Sequence, residues 1–258
     1  MPRYFLELSY KGTRYSGFQV QENALTVQEE TEKALSVLLG PVVLTGSSRT
    51  DAGVHALQNF FHFDLPVPVE TFRGIQHHAG FVYKMNAILP PDITVKNLYR
   101  VADDAHCRFD ALERTYRYYI YKRKNPFLDD RAYYFPYTLD LPLMNRAAGM
   151  LMEYSDFTSF SKRNTQVKTL GCRISQSNWI PTPDGLVYEV KANRFLRGMV
   201  RALTATMLKL GRGNITIEEF REIIEARDCT KASFSVPARG LFLEAVSYPQ
   251  AYFSGQVG

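Results

Sequence analysis

Residues 47–56 read SSRTDAGVHA, and the fold turns on whether this stretch joins two strands. Runs over about 42–47 and 54–64 have β-rich character, and the small and polar residues between them predict a tight connection. Working outward, RYFLELS (3–9) alternates as a strand. Thr26, with Glu29 three residues later, opens a predicted helix; Val27, Ala34, Leu35, Leu38 and Leu39 share one side of it, and Gly40-Pro41 stops it. A helix over about 70–86 and a strand over 93–101 complete the order βαββαβ, the ferredoxin-like unit.

The second half repeats this layout. RTYRYYIYK (114–122) reads as a strand, and Asp140 opens a helix over 141–152. Segments at 168–180 and 186–192 read as strands joined through PTPDG, a strong turn signal. A long helix over about 194–210, capped by Asn193, ends at GRG (211–213). A shorter helix follows over 217–226 behind a Thr216/Glu219 capping box, and GLFLEAVSY (240–248) closes as a strand. The expected class is α+β: two ferredoxin-like βαββαβ halves, 1–105 and 106–248, with largely antiparallel sheets able to join and helices packed on one face. Residues 249–258 are expected to form a flexible tail.

The chain has 258 residues, 45% hydrophobic and 22% charged, so disorder is not the default. Its 31 Lys+Arg against 26 Asp+Glu give a formal charge of +5, which favours a polyanionic partner. The three cysteines, Cys107, Cys172 and Cys229, show no CxxC spacing, so neither a disulfide framework nor a zinc site is expected and a reducing cytoplasm fits. His55, His62, His77, His78 and His106 form no HxxxH or HxxE pattern, and no metal is expected. No apolar run of about 18 residues suggests a membrane span. Neither GxxxxGK nor a GxGxxG following a strand is present, so no nucleotide cofactor is expected.

Three places carry possible chemistry. In the first, Asp51 follows Arg49 and Thr50 and precedes Ala52 and Gly53, small residues that widen the approach to a carboxylate. An ordinary Asp-Ala-Gly turn beside a surface arginine explains the same residues. In RTYRYYIYKRK (114–124), Tyr116 and Tyr118 share a strand face with Arg114, while Arg117, Tyr119 and Tyr121 take the other. Interleaved aromatic and basic side chains suit bases and phosphates, though a half-buried tyrosine-rich strand is an equal local reading. In NRFLRGMVRALTATMLKLGRG (193–213), Arg194, Arg197 and Arg201 would form a stripe on the long helix. Such a stripe is commonly a solvated face, and becomes chemistry only if one arginine turns inward and demands an anion.

At these residues the chain resembles the tRNA pseudouridine synthase A family. SRTDAGVHA (48–56) is similar to its signature. LSYKGTRYSGFQVQ (8–21), NAILPPDI (86–93), CRFDALERTYRYYI (107–120), DFTSF (156–160), FLRGMVR (195–201) and PARGLFLEAVSY (237–248) follow in the family's order. The resemblance spans nearly the whole chain and implies an isomerase that converts uridine to pseudouridine at nucleotides 38, 39 and 40 of the tRNA anticodon stem-loop, without a cofactor. By position in the motifs it implies Asp51 as nucleophile and Arg201 as its partner, with Tyr116 under the target base, Arg49 at the flipped nucleotide and Leu241 at the substrate. It also implies a homodimer. Arg117, Lys122, Arg123, Lys124, Lys162, Arg163 and Arg197 are candidates for the RNA path. Two residues depart from the pattern: Ser48 and Cys107 stand where the family often has Gly and Ala. A non-catalytic tRNA binder and a relative acting on other uridines are the competing readings. A phosphoryl-transfer enzyme is a third, but RTDAG offers no metal-binding carboxylates beside Asp51.

Overall fold

A computed structural model describes residues 1–162 and 171–253. The chain divides into two compact units, one formed by 1–112 with the segment from Leu243 onward, the other by Glu113–Phe242. The division thus falls beyond the expected end of the first half at 105. The CRFDAL segment stays with the first unit because Cys107 donates from Sγ to Thr45 O (3.1 Å) and Leu112 N donates to Ser247 O (2.9 Å).

The first unit contains β1 (Arg3–Tyr10), α1 (Val27–Leu39), β2 (Thr45–Gly46), β3 (His55–Asp64), α2 (His78–Ile88) and β4 (Ile93–Val101), and it receives the end of β9 (Leu241–Ser247). Its strand order is β4-β1-β3-β9, with β2 also on β3 and β1 antiparallel to both β3 and β4. β1 and β3 are buried on both faces over most of their length, since the consecutive pairs Phe5-Leu6 and Phe60-Phe61, which point to opposite sides, are all buried, together with Leu8 and Phe63. Thr26 caps α1 by accepting from Glu29 N at 3.2 Å. Two elements are shorter than predicted. β2 keeps only two residues, and α2 starts at His78 rather than near 70 because Gly74, at φ +78°, breaks the chain before His77 caps the helix through Gly80 N.

The second unit contains β5 (Glu113–Tyr121), β6 (Tyr133–Tyr134), α3 (Leu141–Met150), β7 (Ile174–Pro181), β8 (Gly185–Ala192), α4 (Met199–Gly211) and α5 (Ile217–Glu225). β5, β8 and β7 are neighbours in antiparallel order, and the unit takes Leu241 and Phe242 from the start of β9. Its core centres on Tyr118, Tyr188, Trp179, Leu203, Met207 and Phe220, with Trp179 stacked on Tyr188 at 5.1 Å. The Thr216/Glu219 capping box forms as read. α4, however, begins at Met199, not near 194. Gly198 takes φ +76° at its N-cap, and Asn193 caps nothing there, since its Oδ1 accepts from Arg173 N at 2.8 Å. Arg194 and Arg197 therefore precede the helix and the predicted basic stripe does not exist; only Arg201 of the three lies on α4.

The C-terminal segment departs from the expected loose tail. Residues 250–252 form a 3-10 turn, and Phe253 sits 4.5 Å from the Tyr99 ring and 5.7 Å from Phe60, an apolar contact that holds the chain to the first unit. Residues 254–258, and the predicted strand start at 168–170, lie outside the described residues.

Candidate active site

Asp51 lies in the connection between β2 and β3, half-buried, with Arg49 and Ala52 exposed on either side. Beneath it runs a buried hydrogen-bond chain. Ser47 Oγ donates to Asn59 Oδ1 (2.7 Å); Asn59 Nδ2 donates to Ser48 O and to Tyr10 Oη (3.2 Å each); and Tyr10 Oη meets Thr50 Oγ1 at 2.9 Å. Burial pushes the Tyr10 hydroxyl up to about 12, so it stays protonated and can bridge Thr50 and Asn59. Polar groups this far from water stay fixed only when each finds a partner.

The opening segment clamps the same connection from the other side. Phe18 N donates to Thr50 O (3.1 Å), Gly53 N to Tyr15 O (3.3 Å) and Gly12 N to His55 Nδ1 (3.1 Å). Two glycines make this approach possible: a Cβ on Gly12 would fall 1.9 Å from Val54 O, and Gly17 sits at φ +109° with Thr50 O 2.9 Å from where its Cβ would be. Asp51 O accepts from Val54 N (3.1 Å), closing a turn in which Gly53 has φ +77°. Asp92, in NAILPPDI, accepts from Tyr15 Oη at 2.6 Å. Blocks 8–21, 48–56 and 86–93 thus converge within one unit on a carboxylate held by rigid backbone.

The second unit carries Tyr116, Arg201 and Leu241, on β5, α4 and the start of β9. Along β5, Arg114, Tyr116, Tyr118 and Ile120 are buried while Thr115, Arg117 and Tyr119 are half-buried, the alternation that the sequence predicts as far as Ile120; Tyr121, expected on the face of Arg117 and Tyr119, is buried as well. Tyr116 meets the edge of Phe195 at 5.0 Å. The Arg201 guanidinium donates through Nε (3.1 Å) and Nη2 (2.7 Å) to Val236 O, which fixes its plane at the first turn of α4. Tyr118 Oη donates to the next carbonyl, Pro237 O, at 2.7 Å, and a Cβ on Gly240 would collide with the Tyr118 ring. PARGL is thereby pinned between β5 and α4, and Leu241 is buried.

The candidate RNA-path residues separate. Arg117 is engaged by Glu189, Nε to Oε2 at 2.6 Å. Lys122, Arg123 and Lys124 are exposed beyond β5. Lys162 and Arg197 are adjacent, Lys162 N donating to Arg197 O at 2.9 Å, and Lys162 helps line a shallow cavity of about 290 Å³ with Ser161, Cys229, Thr230 and Phe234. Arg163 lies outside the described residues. Sequence reading missed Tyr10, Thr50 and Asn59 as supports of the Asp51 turn; the signal was Asn59, a polar residue set in the apolar run of β3. It also missed that His62, His106 and Cys107 converge, their ligand atoms lying within 4.8 Å of one another.

A family model described as tRNA pseudouridine synthase matches residues 147–249. The chain is 45% identical over 254 residues to a protein of Parabacteroides distasonis named tRNA pseudouridine synthase A, with 98% of each chain covered. A protein of the same name from Porphyromonas gingivalis is 44% identical over 98% of this chain and 100% of its own. One from Staphylococcus aureus, also of that name, is 38% identical over 95% of this chain and 90% of its own.

Proposed function

Because the chain belongs to the tRNA pseudouridine synthase A family, we propose that it isomerises uridine to pseudouridine at positions 38, 39 and 40 of the tRNA anticodon stem-loop, with Asp51 as the reacting carboxylate. The observation that carries this reading is the Asp51 turn: a half-buried carboxylate, flanked by small residues and locked from below and beside by buried hydrogen bonds. A uridine within a stem must leave the stack before any side chain reaches its glycosidic bond, at a cost of a few kcal/mol. Ala52 and Gly53 would leave room for it, and Arg49, exposed two positions before Asp51, would hold the extruded nucleotide.

The reaction breaks the N1–C1′ bond and forms C5–C1′ within one nucleotide, and the proton lost from C5 balances the one gained at N1. No group is imported. An aspartate can trap or stabilise an oxocarbenium-like sugar centre, as in glycoside hydrolysis; attack at C1′ and proton abstraction to a glycal both use the same carboxylate. On the family's pattern, Tyr116 supports the base, Leu241 contacts it and Arg201 serves as the aspartate's counter-charge.

The deciding experiment maps pseudouridine at single-nucleotide resolution in an unmodified tRNA transcript carrying uridines at 38, 39 and 40. Wild type is expected to modify them with no added nucleotide cofactor. Asp51→Asn should lose activity by about 10³-fold or more while still binding the transcript. Binding by both without modification by either would leave a tRNA-binding protein in place of the enzyme. Arg201→Ala is expected to reduce turnover and also stability, because it strips Val236 O of two donors; full activity in that variant would remove Arg201 from the reaction. The homodimer implied by the family is tested by sedimentation of the purified protein, where a monomer at micromolar concentration would reject it.

A further inference from the structure

We infer that the first unit holds a binding site for a thiophilic divalent ion of the zinc type, formed by His62 of β3 together with His106 and Cys107 of the segment after β4. The three side chains meet because Ala105 N closes a turn onto Ala102 O (3.0 Å), which lays residues 106–107 against β3. His62 Nδ1 is 3.2 Å from Cys107 Sγ and accepts from Cys107 N at 3.3 Å, and the two imidazole rings lie 4.6 Å apart at 72°. All three ligand atoms fall within 4.8 Å of one another.

Two imidazoles and a thiol are a donor set that zinc accepts, with ligand bonds of about 2.0–2.3 Å. Around such an ion, tetrahedral donors sit about 3.3–3.8 Å apart. The His62–Cys107 pair is already near that spacing, and His106, within 4.8 Å of both, has at most about an ångström to approach. It is the member able to do so. Its ring is half-buried, and Nδ1 accepts from Arg108 N (3.1 Å) and Phe109 N (3.4 Å), bonds given up when the ring turns inward. The other two side chains are held by burial, Cys107 fully and His62 nearly so, and the ion takes the place of the Cys107 N–H at His62 Nδ1 and of the thiol proton donated to Thr45 O.

The charge around the cluster fits a cation. The charged groups facing the cluster are Arg3, Asp64, Asp110 and Arg108. Arg3 is answered by Asp64 through two bonds of 2.8 Å, and Arg108 lies over the Phe109 ring. Asp110, which accepts from His106 N (2.5 Å) and Tyr252 Oη (2.7 Å), adds negative charge beside the cluster. Binding converts the Cys107 thiol to a thiolate and releases its proton to solvent; the thiolate and Asp110 then supply two negative charges against the ion, with water completing the fourth position. Such an ion would fasten the 102–112 segment to the strand that begins at the Asp51 turn. The inference stands on these contacts alone and does not depend on the proposed reaction.

The test strips the full-length protein with a chelator and titrates it with Co²⁺, following thiolate-to-cobalt charge-transfer absorption, then displaces the cobalt with Zn²⁺. One cobalt per chain with that band, lost in Cys107→Ala, weakened about tenfold or more in His106→Gln and kept in Cys229→Ser, is the expected result. Absence of the band in wild type at stoichiometric cobalt overturns the site. So does a band that survives Cys107→Ala, which would place the ion on Cys172 or Cys229. Should Cys107→Ala not fold, the half-buried His106→Gln decides, and unchanged cobalt affinity in that variant rejects the site.

Discussion

At the scale of single residues, Asn59 is the centre of the support beneath the proposed reacting group, Asp51. It is fully buried, and its amide joins Ser47, Ser48 and Tyr10 beneath Asp51. Asn59→Ala removes all of these bonds from a buried network and is expected to cost about 1–3 kcal/mol of stability, with a fall in turnover for pseudouridine formation because the turn above is less firmly fixed. Thermal unfolding and single-turnover kinetics check this; a variant that loses stability but keeps its rate would show that the turn is held by other bonds. Asp51 stands out in the sequence as a candidate because one short motif surrounds it. Its supports were not, for Tyr10 and Thr50 are 40 positions apart and nothing near either announces the other.

At the scale of elements, local signals and their failures have separate causes. Caps written within three residues, such as Thr26 with Glu29 and Thr216 with Glu219, place the starts of α1 and α5 correctly. The start of α4 was misread because Asn193, a good cap by composition, is taken by Arg173 N, while Gly198 supplies the positive φ that begins the helix. Close approach of elements sets the next prediction. Gly12→Ala puts a methyl group 1.9 Å from Val54 O if nothing moves, so the opening segment must shift away from the Asp51 turn. A stability loss of about 1–3 kcal/mol is expected, with reduced pseudouridine formation. An unchanged melting temperature and rate would mean that this close approach does not position the turn.

At the scale of the whole chain, the excess of basic residues, 31 against 26, predicts RNA affinity that falls steeply with salt. Replacing Lys122, Arg123 and Lys124 with Ala should flatten the slope of log affinity against log salt by about 1 for each phosphate no longer neutralised, whereas a slope equal to wild type would take these exposed residues off the RNA path. The sequence by itself determined the α+β class, the order of the helices and of every strand except the short β6, and the family, because periodicity, caps and short motifs are each encoded within a few neighbouring residues. Tertiary structure alone decided that CRFDAL belongs with the first unit, that Phe253 is held against Tyr99 and Phe60, and that His62 meets Cys107 across 45 positions. These depend on which buried donors, acceptors and rings find partners once the strand registers are set, a condition shared by distant segments and written in none of them singly.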